Sequence, residues 1–135
     1  MNQQRIQYLQ AQGLSKNNAR LIVAQSLHET GNYTSRLFRE QNNAFGMKVP
    51  RQRKVKVKLT SNQNTNKEYL HYETVNDSDA DFLDYARYNG LIIPLLSADL
   101  TPEIYVQFLK QRGYFEDTTD NYLRGVQFYF SKLNV

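Results

Sequence analysis

The 135-residue chain contains no cysteine and no tryptophan, and only three prolines. Without cysteine there can be no disulfide framework, no thiolate zinc site and no cysteine nucleophile. Without tryptophan, any aromatic binding surface must be built from the ten tyrosines and seven phenylalanines. No stretch approaches the roughly 18 consecutive apolar residues of a membrane span. The opening residues, MNQQRIQYLQAQG, lack the apolar core of a signal peptide. Histidine is also scarce. His28 and His71, with no acidic partner at ligand spacing, do not make a metal site. No glycine-rich phosphate loop and no Ser-His-Asp order is found, so no cofactor is assigned. From Arg51 to Asn66 there is no acidic residue at all.

What remains is a folded, basic, tyrosine-rich chain. A hydrophobic fraction of 40% and an aromatic fraction of 13% suit a single globular domain spanning residues 1–135. A net charge of +4 favours an anionic partner, either nucleic acid or an acidic polymer. Tyrosine rings suit a wet groove, having an apolar face and a polar tip, although core packing accounts for them equally well.

The pattern is mainly helical. Residues 2 to about 11 predict a short helix burying Ile6 and Leu9. A second helix follows from a Ser15 cap to Thr30, with Ala19, Ile22, Val23, Ser26 and Leu27 on one stripe and Gly31 as its left-handed stop. Ser35 caps a third through Gln41, directing Leu37 and Phe38 inward. From Lys54 to Thr60 the period changes to strict alternation, which predicts a strand with Val55, Val57 and Leu59 on one face. Glu68 to Tyr72 reads as the returning strand, so a β-hairpin lobe is expected at about residues 50–73. Its lysines either contact anionic polymer or keep the edge from pairing with other chains. Asp77 or Ser78 caps the next helix, which carries Phe82, Tyr85 and Ala86 and ends at Asn89-Gly90. Thr101-Pro102-Glu103 opens another, with Ile104, Tyr105, Phe108 and Leu109 inward. The last runs from Asp120 to Leu133 and buries Val126, Phe130 and Leu133.

Glu29 lies in the last turn of the second helix. The partial negative charge of a helix C-terminus disfavours a carboxylate there and raises its pKa. A carboxyl group held protonated near neutral pH can serve as a general acid. The alternative is a solvated helix-end glutamate.

Ala24-Gln25, Glu29-Thr30-Gly31 and Asn43-Ala44-Phe45-Gly46-Met47-Lys48 resemble the motifs A-Q-x-x-x-E-[TS]-G and N-x-F-G-[IMV]-K of the glucosaminidase family of peptidoglycan hydrolases. Residues 72–88 resemble a further stretch of that family, with Asp84 and Tyr85 as its D-Y pair. Gly113-Tyr114-Phe115-Glu116-Asp117 resembles its G-Y-A-T-D-P motif without the usual Ala and Pro, and Tyr122 resembles the tyrosine that follows. The resemblance implies a lysozyme-like, mainly α fold with a small β lobe, acting on bacterial cell-wall glycan as a monomer. Glu29 is then the catalytic acid. Tyr114 positions the sugar or stabilises the cationic transition state, unless its ring merely packs beneath the groove. Asn43, Phe45, Tyr33 and Tyr122 are implied to contact substrate. His28 and Tyr33 stand at or near positions where the family usually has a small aliphatic residue or Leu and a Trp, which alters the groove wall.

Members of the family supply a second glutamate from the β lobe, where this chain has none. Glu68 and Glu73 are the nearest substitutes, Glu68 being the better placed, unless it is an outward-facing strand residue. If no second carboxylate acts, the substrate's N-acetyl group takes that role, or the domain binds wall glycan with little or no turnover. Peptidoglycan strands are the implied partner, not nucleic acid. The implied place of action is the bacterial cell wall or the extracellular space, for a chain of bacterial, phage or mobile-element origin. Delivery is expected by a route other than a visible signal peptide, or after removal of a leader.

Overall fold

The computed structural model describes residues 1–60 and 68–133. Among these the chain is mainly helical, with α1 (Asn2–Ala11), α2 (Lys16–Thr30), α3 (Arg36–Gln41), α4 (Val75–Tyr88), α5 (Ile92–Ser97), α6 (Pro102–Gln111) and α7 (Thr119–Lys132). Their starts follow the expected chemistry. Ser15, Ser35, Thr101 and Thr118 each accept a hydrogen bond from the backbone N–H three residues on, satisfying one of the orphan donors of the first turn. At α4 the cap is Thr74, not Asp77 or Ser78. Thr74 accepts from the Asp77 amide, and the Asp77 side chain accepts from the Thr74 amide. The extra turn thus begins at a reciprocal capping box.

Helix α2 is the spine, packed chiefly against α7 and α1, and α6 packs on α7. The single stripe expected from its sequence understates its burial. Every residue from Leu21 to Leu27 is buried, Gln25 and Ser26 included. A helix enclosed on all sides must pair its polar groups internally. Ser26 does so through the Val23 carbonyl at 2.7 Å, and Asn18 binds the carbonyls of Leu95 and Ala98 at 2.9 and 2.8 Å. Those two bonds fasten the end of α5, a helix that begins at Leu91 with no side-chain cap and leaves no cap signal in the sequence. On α6, Tyr105, Val106 and Leu109 are buried, whereas Ile104, expected inward, is 44% exposed.

Two buried ion pairs brace the core. Arg5 on α1 meets Asp79 on α4 through Nε–Oδ2 at 3.0 Å and Nη2–Oδ1 at 2.5 Å. Arg53 meets Asp81 through Nη1–Oδ1 at 2.6 Å and Nη2–Oδ2 at 3.1 Å, and the Tyr72 hydroxyl donates to Asp81 at 2.6 Å. Nη1 of Arg5 also donates to Ser26 on α2 at 2.6 Å and to the Tyr33 hydroxyl at 3.0 Å. Tyr33 belongs to an unusual turn. Gly31, Asn32 and Tyr33 all have left-handed backbone, with φ of 56°, 59° and 68°. For the two non-glycine residues that conformation is costly. The Tyr33 amide donates to Thr30 Oγ1 at 3.0 Å, and its hydroxyl donates to Asn2. The turn that leaves Glu29 is therefore held from both ends.

The expected β-hairpin is not formed among the described residues. Two isolated antiparallel bridges, Lys48↔Tyr69 and Leu59↔Tyr72, stand in its place. The alternation of Lys54–Leu59 survives as burial: the lysines are exposed and Val55, Val57 and Leu59 are half-buried. A ladder fails because the returning segment divides its hydrogen bonds. The Val49 amide donates to the Glu68 carbonyl, Leu70 to Met47, Thr60 to His71 and Tyr72 to Gln41. Side chains take further carbonyls: Asn43 donates to Leu70 O at 3.0 Å and Asn42 to Tyr72 O at 3.2 Å. Two strands need consecutive reciprocal pairs; here residues 68–70 pair with 47–49 around one bridge, and residues 71–72 then turn to Thr60 and Gln41. The polar stretch expected to turn the hairpin, residues 61–66, lies outside the described residues.

Candidate active site

Glu29 reaches the floor of an open groove with a volume of about 720 Å³. One wall is the Met47–Pro50 segment with Arg53 and Tyr69. The other is the Gly113–Asp117 loop between α6 and α7. Phe45, Tyr114 and Tyr122 form the base, so the aromatic surface is built from tyrosine and phenylalanine as the composition demands.

Among the described residues the carboxyl group is anchored through one oxygen. Oε1 of Glu29 accepts a hydrogen bond from the Tyr122 hydroxyl at 2.6 Å. Oε2 faces the Gly46 turn, where a Cβ added to the glycine would stand 3.8 Å away. Gly46 has φ of 62°, a conformation that favours glycine. Burial raises the pKa of Glu29, and the Tyr122 hydrogen bond opposes that shift. The direction is the one expected from its place at a helix end, but the main cause is loss of water, which disfavours the charged form. Burial thus shifts the balance toward the neutral carboxyl, and the Tyr122 hydroxyl is a donor to the ionised form.

The tyrosines are ordered as a layer beneath the acid. Tyr114 lines the groove, yet its hydroxyl donates to the Phe45 carbonyl at 2.8 Å. It thus ties the α6–α7 loop to the groove floor. Tyr105 donates to Gln25 Oε1 one turn before Glu29. The Tyr122 ring stacks on Phe115 with centroids 3.9 Å apart and planes 4° from parallel. Burial raises the pKa of Tyr105, Tyr114 and Tyr122 well above the ordinary phenolic value, so all three stay neutral hydrogen-bond donors.

Of the residues singled out from the sequence, Glu29, Phe45, Tyr114 and Tyr122 converge on the groove. Asn43 lies beneath it, fully buried. Its amide donates to Met47 O at 2.9 Å, and its oxygen accepts from the Met47 amide at 2.9 Å. Asn43 therefore shapes the turn that presents Phe45 and Gly46. Tyr33 belongs to the Arg5 cluster and stacks on Phe38 with centroids 4.7 Å apart; it is not part of the groove lining. Glu68 forms an ion pair with Lys48 at 3.7 Å, with both side chains more than 60% exposed. Glu73 faces Lys58 at 3.6 Å. Neither acid lines the groove.

Sequence reasoning passed over Arg53 and left Glu116 and Asp117 with no role in the groove they line. It also missed Arg5, Asp79 and Asp81. For Asp79 a signal was present: Asp79, Phe82, Leu83 and Ala86 share one helical stripe at i, i+3, i+4 and i+7. An acid on an inward stripe requires a cation, and Arg5 lies beside inward Ile6 on α1. Arg53 carried a signal too: at period 2 it shares the face of Val55, Val57 and Leu59, and it is the buried member of that row.

No group of three or more His, Asp or Glu side chains suited to a metal ion occurs among the described residues. Nor is any described helix long and apolar enough to cross a membrane. Residues 6–134 match the glucosaminidase family, described as mannosyl-glycoprotein endo-beta-N-acetylglucosaminidase. No curated protein and no solved structure is matched by the chain.

Proposed function

Because the chain belongs to the glucosaminidase family, we propose that it hydrolyses β-1,4 glycosidic bonds next to N-acetylglucosamine in bacterial peptidoglycan, with Glu29 as general acid. The observation that carries this reading is the environment of Glu29. It is a half-buried carboxyl group, protonated more readily than usual through loss of water, open to the groove through Oε2, and held at Oε1 by Tyr122. In the reaction, the proton on Oε2 passes to the glycosidic oxygen as the bond to C1 breaks. The negative charge left on Glu29 strengthens its hydrogen bond from Tyr122, since charge-assisted bonds are the stronger ones. That interaction grows as the transition state forms, so it lowers the barrier instead of merely tightening ground-state binding.

Most glycosidases place a second carboxylate about 5–9.5 Å from the first. Glu68 pairs with Lys48 of the groove wall and Glu73 with Lys58, and neither acid is itself among the groove-lining residues. In this proposal the second group is the substrate's own acetamide, whose carbonyl oxygen attacks C1 from the opposite face. Water then opens the cyclic intermediate, delivering its proton to the Glu29 carboxylate and restoring the acid. Glu116 and Asp117 sit at the groove wall as anions that favour the developing positive charge. Asp117 is partly committed, accepting from the Thr118 amide at 2.7 Å.

The test is Glu29→Gln assayed on purified peptidoglycan. The expected result is a loss of at least ~100-fold in lysis, the lower scale for removing a general acid, with folding preserved. Lysis at the native rate would remove Glu29 from the mechanism. Mass spectrometry of the wild-type products identifies the bond cut. Saturable binding to peptidoglycan with no products from the wild-type chain would favour a wall-binding module, a reading supported by the absence of an acid in the 51–66 stretch.

A further inference from the structure

Helix α7 contains a glycine that its backbone does not require. Gly125 lies in the middle of α7 and is not among the glycines with positive φ. Glycine in a helix interior costs stability relative to alanine. Space explains its presence. A Cβ at position 125 would stand 1.9 Å from Nδ1 of His28, 2.4 Å from Cε1 and 2.7 Å from Cγ. The imidazole of α2 is seated directly on the α7 backbone, at a spot where no other L-residue fits without moving it.

The ring so placed is both half-buried and part of the groove lining. It meets Tyr122, one turn earlier on α7, with centroids 4.7 Å apart and planes at 79°. The stack on Phe115 at 3.9 Å restrains the same tyrosine. Tyr122 thus has two aromatic neighbours, from the α6–α7 loop and from α2, and its hydroxyl sits 2.6 Å from Glu29 Oε1. A donor at that distance works only while its ring keeps its angle.

We propose that His28 is a positioning residue for the acid: its ring, seated on Gly125, holds Tyr122 so that the hydroxyl stays on Glu29. The residue acts by shape and not by proton transfer. This inference rests on the reading of Glu29 as the acid, but its test reads the Glu29 carboxyl group directly and needs no turnover. The groups facing His28 are Tyr122 and the Asp117 carboxylate, with Glu29 adjacent in the chain and Glu116 on the same groove wall.

The experiment is a carbon-13 NMR titration of the Glu29 carboxyl in the full chain. Tyr122→Phe removes the donor and should raise the Glu29 midpoint by about one pH unit, the scale of one hydrogen bond to a charged acceptor. His28→Ala should move it in the same direction by at least about half as much, and should add nothing in the Tyr122→Phe background. His28→Phe keeps a planar ring on Gly125 but no charge, and should return the midpoint close to wild type. That variant separates positioning from electrostatics, because loss of imidazolium charge would affect both substitutions alike. Gly125→Ala should displace the ring and imitate His28→Ala. In the His28→Ala background the same change should leave the midpoint alone and raise Tm, since alanine then fills open space in a helix.

An unmoved midpoint in His28→Ala overturns the proposal even if Tm falls. So does a shift that persists in Tyr122→Phe, or one that His28→Phe fails to rescue. Failure of the acid assignment would instead appear as undiminished lysis by Glu29→Gln, a separate measurement.

Discussion

Replacing Asp79 with alanine would leave the Arg5 guanidinium buried without its counter-ion. The side chains of the pair are 2% and 0% exposed, so water cannot take the place of the carboxylate. Ser26 and Tyr33 remain as acceptors for Nη1, while Nε and Nη2 lose their partner. Breaking a buried pair from one side typically costs about 3–5 kcal/mol, a large share of the roughly 5–15 kcal/mol that separates folded from unfolded domains. For 135 residues the unfolding entropy near the midpoint is about 0.28 kcal/mol/K, so Tm should fall by roughly 10–18 °C. Urea titration followed by circular dichroism, with an unchanged m-value, is the assay. The double replacement Arg5→Met with Asp79→Leu should recover most of the loss, because apolar residues of similar volume carry no desolvation cost. Asp79→Ala costing less than about 1 kcal/mol would refute the reasoning, since that is the scale of a solvated pair. A double replacement as damaging as the single one would show that the packing, and not the charge, matters.

Other outcomes follow from the site. Glu29→Gln should be more stable than wild type at neutral pH. Burial raises the folded pKa of Glu29, so wild-type stability is fully present below the unfolded value of about 4.3 and declines as pH rises through the folded value. The Tm difference should therefore vanish near pH 4 and grow above it; a constant difference would place the carboxylate in solvent. Glu68→Gln should leave lysis within about tenfold of wild type, whereas de-N-acetylated glycan should be nearly inert. A large loss from Glu68→Gln with unchanged turnover of de-acetylated glycan would restore a two-carboxylate mechanism. In hydrogen exchange, amides of residues 54–60 and 68–72 should slow when a glycan fragment is added, because among the described residues this segment adjoins the groove wall through two isolated bridges and not through a continuous ladder. No change at saturating glycan would argue for a rigid wall.

Local chemistry explains which parts were legible. Helix starts depend on one side chain reaching one nearby amide, and Ser15, Ser35 and Thr101 act as their sequence context indicates. Thr74 was harder to read because Asp77, the obvious cap, is its partner three residues on. Glu29 stood out through its motif and its place at the helix end. Tyr122 was marked only by resemblance, since nothing local states that its hydroxyl crosses from α7 to α2.

The sequence by itself determined the described helices other than α5, the turn at Gly31, the glutamate at the end of α2 and the aromatic chemistry available to a chain without tryptophan. These follow from contacts within a few residues. Only the tertiary structure decided the rest. Alternation from Lys54 to Leu59 marks a half-buried segment, but a strand also needs a run of partners in register, and among the described residues this one meets the returning segment at a single bridge, Leu59↔Tyr72, while residues 68–70 pair with 47–49 instead. The raised pKa of Glu29 comes mainly from burial beneath loops distant in sequence, a long-range effect. The pairing of Arg5 with Asp79, 74 residues apart, and the seating of His28 on Gly125 depend on how helices pack. Periodicity along one helix shows which face turns inward; what that face meets is settled by the helix beside it.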